Sequence, residues 1–60
     1  MRVITVAELA GFTPRELMSL YFQVGNQLMG TRLGSPERFA VEQTLANIRF
    51  VLAWHHRTPR

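Results

Sequence analysis

Adjacent His55 and His56 are the only imidazoles in a chain of 60 residues that has no Cys and no Asp. On a helix, neighbouring residues point about 100° apart, so this pair is not arranged to chelate one ion together. No second ligand stands three or four residues away. The pair is expected instead to sit near a helix C-terminus, where imidazolium suits the dipole. Ser19, Ser35 and Tyr21 have no base at a spacing that would activate them. The four carboxylates, Glu8, Glu16, Glu37 and Glu42, each fall in a pattern that explains them structurally: two capping boxes, one first-turn acid, and one partner for Arg38 at i,i+4. Gly30 and Gly34 lead into a proline-opened helix without Lys, which is not a phosphate loop. No catalytic residue, metal, cofactor or small-molecule substrate is expected, and an enzyme is not.

The elements that position these residues are written in capping chemistry. Thr5-Val6-Ala7-Glu8 is a capping box, and Gly11 is expected to supply a left-handed stop, giving a short helix over about residues 6–10. Thr13-Pro14-Arg15-Glu16 joins an N-cap, a proline at the first helical position and an acid at N3. It opens a second helix over about 14–29. Ser35-Pro36-Glu37 opens a third, over about 36–56, which ends near Arg57-Thr58-Pro59. The connection Gly30-Thr31-Arg32-Leu33-Gly34 is short enough to make the long helices antiparallel. The expectation is a single all-α domain over 1–60. Arg2-Val3-Ile4-Thr5-Val6 also favours strand, which would need a partner strand from another chain.

Both long helices carry more apolar surface than one hairpin can bury. In the second, Leu17, Leu20, Tyr21, Val24 and Leu28 cluster within about 100° as a core stripe. Met18, Phe22, Gly25 and Met29 form another stripe about 110° further round, and Gly25 there suggests close approach of a further helix. In the third, Val41, Leu45, Ile48 and Leu52 make the core stripe, while Phe39, Ala46, Phe50 and Ala53, with Trp54 beside them, lie on nearly the opposite side. Arg38, Glu42, Arg49 and His56 form a polar strip between.

The N-terminal helix can add Val6, Leu9 and Phe12 to the core, but seven or eight residues are too few to cover both second stripes. A chain this short buries only about 60% of the surface its unfolded form exposes, and without Cys it lacks the disulfides that staple many small folds. The expected staple is another chain: a four-helix-bundle-like homodimer or docking on a larger protein. Its interface would hold Met18, Phe22, Gly25, Met29, Phe39, Ala46, Phe50 and Trp54. The corresponding function is a small regulator, inhibitor or adaptor that occupies surface. The absence of Cys fits a reducing compartment, no secretory apolar region follows Met1-Arg2, and no run approaches the roughly 20 apolar residues that span a bilayer. A cytoplasmic location, away from membranes, is expected.

The net charge of +3 comes from seven Arg and four Glu, a balance that permits nucleic acid without demanding it. Val6-Ala7-Glu8-Leu9-Ala10-Gly11-Phe12-Thr13-Pro14, followed by Leu17 and Leu20, resembles the helix-turn-helix that opens lac-repressor-type bacterial regulators. Ala7 stands where that motif has its helix alanine, Gly11 where it has its turn glycine, and Thr13 where a Ser or Thr caps the recognition helix. The resemblance implies that Arg15, Ser19 and Gln23 would face the major groove, with Arg32 or Arg2 on phosphate. A ribbon–helix–helix dimer with residues 2–6 as the paired strand is a further DNA-binding arrangement, but the capped segment Val6 to Arg15 has no place in it.

Overall fold

Three N-caps organise the chain. In the computed structural model, which describes residues 1–57, Thr5 Oγ1 accepts from the Glu8 amide at 3.3 Å while Glu8 accepts from the Thr5 amide at 2.9 Å. Thr13 and Glu16 repeat the exchange at 3.1 and 2.9 Å. Ser35 Oγ accepts from the Arg38 amide at 3.1 Å. These caps open α1 (Val6–Leu9), α2 (Pro14–Asn26) and α3 (Pro36–Arg57). The architecture is all-α, as expected: a short helix, then a hairpin of two long ones. There is no strand among the described residues, and Thr58, Pro59 and Arg60 lie outside them.

The helix ends differ from expectation in two places. Gly11 is not left-handed, because among the described residues only Gly34 has a positive φ, at 79°. Helix α1 closes instead on Ala10 in the right-handed region, and the Phe12 amide reaches back to the Leu9 carbonyl at 3.0 Å. The second helix stops being α-helical at Asn26 and tightens into a 3-10 turn over Gln27–Gly30. Gly25 and Asn26 are weak helix formers, and the tighter turn presents the Leu28 carbonyl to three donors. These are the Thr31 amide at 3.2 Å, the Thr31 hydroxyl at 2.9 Å and Arg38 Nη1 at 3.3 Å. The orphan carbonyl of a helix end is thereby satisfied.

The core runs along α3. Leu9, Leu17, Ile48 and Val51 form one buried cluster; Val24, Val41 and Leu45 form the next, with Leu20 and Tyr21 packed against both. The expected core stripes of the hairpin are therefore the ones that pack. A third strip of α3, Ala40, Thr44 and Val51, is also buried. The N-terminal arm meets it at Thr44, and Ile4 packs against the cluster that holds Val51. The Ile4 amide donates to Thr44 Oγ1 at 3.1 Å, and Asn47 Nδ2 donates to the Ile4 carbonyl at 2.9 Å. The extended segment before α1 thus finds on a helix, through two side chains, the backbone partners that a strand would find in a sheet.

Candidate interaction surface

With the arm docked on α3, what it leaves uncovered is decided. Of the apolar residues of α1 and the turn after it, only Leu9 is buried; Val6 and Phe12 remain exposed. Their expected place in the core is corrected, because the four-residue helix turns one side chain inward and α1 packs on α3. The second stripes stay open. Phe22 is 65% exposed, Phe39 61% and Phe50 62%, with Met18 and Trp54 exposed as well. Gly25 and Ala46 are half-buried. Beyond its own helical turn, no described residue lies within 4 Å of where a Cβ on Gly25 would be, so none of them makes the close approach considered there.

These residues are spread over α2, the 3-10 turn and α3. Phe50 and Trp54 join Val6, Ala10 and Val51 around an apolar concavity of about 140 Å³ between α1 and α3. A smaller dent of about 80 Å³, lined by Phe50, Ala53, Trp54 and Arg57, continues it along α3. No side chain of α2 lines either concavity. Met18 and Phe22 lie on the flank of α2, where Phe22 meets Tyr21 edge-on with ring centroids 6.4 Å apart. Met29 falls in the 3-10 turn, off the regular helical stripe, and is 93% exposed. Val6 and Ala10 were not among the expected interface residues; the signal available was that a four-residue helix can bury only one side.

The four carboxylates, Arg2, Arg38 and His55 are engaged within the fold. Arg38 Nε donates to Glu42 at 3.1 Å across one helical turn, as its spacing predicted. Arg2 makes a two-bonded pair with Glu8, at 3.0 and 2.7 Å. The Arg2 hydrogen bond is the largest cause holding the Glu8 carboxyl at about 2, below its usual 4.5, followed by the Thr5 amide. The same contact raises the Arg2 guanidinium. His55 and His56 diverge: His55 is half-buried, and its Nε2 meets the Phe12 carbonyl at 3.2 Å, a contact that requires the protonated nitrogen to face the oxygen. Arg15, Ser19 and Gln23 are all exposed along one side of α2. No family model matches the chain, and no curated protein or solved structure matches it. Among the described residues, no helix is long and apolar enough to cross a membrane.

Proposed function

We propose that this chain is a small non-enzymatic interaction module, a regulator, inhibitor or adaptor, that works through its exposed apolar faces as a homodimer or docked on a larger protein. The observation that carries the reading is the aromatic surface left open after the core is complete: Phe22, Phe39 and Phe50 each keep more than half their surface exposed. Fully burying a side chain of this size contributes about 1.5–3 kcal/mol. Several such residues on so small a chain supply a driving force for association that its own fold does not use. The polar groups support the same reading, since the carboxylates and His55 are engaged in caps, ion pairs and a backbone contact.

Mass in solution tests it. At micromolar concentration the chain is expected to exceed its single-chain mass of 6.9 kDa. Phe50→Glu is expected to lower the mass while helical circular dichroism persists, because Phe50 lies outside the core. A single-chain mass for the wild type would remove self-association. The second reading, a minimal helix-turn-helix regulator, is favoured by the exposure of Arg15, Ser19 and Gln23 together on α2 behind a capped turn. It requires duplex DNA to be bound at about 50 mM salt, with specific binding lost in Arg15→Ala and the fold intact.

A further inference from the structure

The outer face of α3 has a period of its own. Phe39, Gln43, Ala46, Phe50, Ala53 and Arg57 follow one another at steps of four, three, four, three and four. That is the a/d spacing of a coiled-coil seam, with four of the six positions apolar and Gln43 and Arg57 the polar exceptions. It begins one turn into a 22-residue helix and ends at its last described residue. The seam is flanked on one side by Glu42 and Arg49, one heptad apart and both exposed. Glu42 spends one carboxylate oxygen on Arg38, while Arg49 has no ion pair or side-chain hydrogen bond among the described residues.

We infer that this face is where a second copy of the chain docks, α3 against α3 and antiparallel, with Phe39 packed on the partner's Phe50 and Glu42 paired with the partner's Arg49. The inference rests on the interaction-module reading and names its partner and orientation. Antiparallel pairing sets an a position of one helix against a d position of the other. With Gln43 opposite the partner's Ala46, the two central layers combine a medium side chain with a small one, so the helices approach closely. One turn outward at each end, Phe39 meets the partner's Phe50, and the two-fold symmetry forms this layer twice. In the same register Glu42 and Arg49 face each other across the seam, again twice.

Charge and shape choose this register over its neighbours. Sliding one helix by a heptad in one direction sets Arg49 against the partner's Arg49 and leaves Phe39 beside the partner's Arg57. Sliding it the other way leaves Phe50 beyond the end of the partner's helix. Only the intermediate register pairs both aromatics and both opposite charges.

The natural absence of Cys makes the test direct. Gln43→Cys and Ala46→Cys chains, separately folded by circular dichroism, are mixed in equal amounts and oxidised, and the disulfides are weighed by mass spectrometry. The mixed 43–46 dimer is expected well above the one-half share of random pairing. Predominance of like-with-like disulfides would indicate a parallel seam and overturn the inference. A multimeric chain that forms none of these disulfides would also overturn it, while leaving the interaction-module reading in place. A single-chain mass would remove self-association and the seam together. As a second arm, Glu42→Arg is expected to weaken dimerisation about 3- to 10-fold, the scale of two exposed ion pairs turned repulsive. Adding Arg49→Glu is expected to restore it; an unaffected single variant, or a double variant that does not recover, would exclude the register.

Discussion

Thr44 and Glu8 show how differently single residues hold this molecule. Thr44 is fully buried, and its hydroxyl oxygen accepts the Ile4 amide. Thr44→Val keeps the shape but strands that amide against an apolar wall, which is expected to cost about 1–3 kcal/mol in urea unfolding. An unchanged midpoint would mean that the arm is not held there. Glu8 lies on the surface, and its pair with Arg2 shifts its titration more than it stabilises the fold. Its folded value lies below its ordinary one, so its contribution is complete above about pH 4.5 and is lost as pH falls through about 2. Carboxyl NMR of Glu8 is expected to report the low value, and Arg2→Ala is expected to raise it, since the Arg2 hydrogen bond is the largest cause. The two capping boxes are legible in sequence because their partners stand three residues apart. Thr44 and Ile4 stand 40 apart, and nothing local in either announces the other.

At the scale of elements, α3 is the spine on which α1, α2 and the 3-10 turn all pack. The sequence made both inner stripes of the hairpin legible because a 3.6-residue period marks them. It did not reveal that a third strip, Ala40, Thr44 and Val51, would be buried. Two of those side chains are small or polar, and their burial depends on an arm without periodicity of its own. The outer stripes were legible for the same reason as the inner ones, as periodic apolar residues, although the concavity that Val6 and Ala10 form with Phe50 and Trp54 needed the fold. Gly25 gives an element-scale prediction. It sits inside α2 with a negative φ and open space where a Cβ would be. Gly25→Ala is expected to stabilise by about 0.5–1 kcal/mol, read as a higher melting temperature. Because the α3 seam does not involve it, dimerisation is expected to be unchanged; weaker association would point to the flank of α2 instead.

At the scale of the whole molecule, the described residues span 40 × 17 × 15 Å, a rod whose buried residues gather along α3. At about 0.05–0.15 kcal/mol per residue, a chain of this length has only some 3–9 kcal/mol of stability. Ile48 is fully buried beside Leu9, Leu17 and Val51, so Ile48→Ala, at about 2–5 kcal/mol, is expected to leave much of the population unfolded at 25 °C. If the fold is stapled by a second copy, raising the protein concentration should recover the helical signal of that variant. Concentration-independent unfolding would separate the stability of the rod from its assembly.

The anchoring of Ile4 has a kinetic consequence as well. Its amide proton lies in an extended segment, outside every helical ladder, yet is held by a buried hydroxyl oxygen. It should exchange with deuterated solvent only when the arm lifts from α3, so its protection factor would time that opening separately from global unfolding.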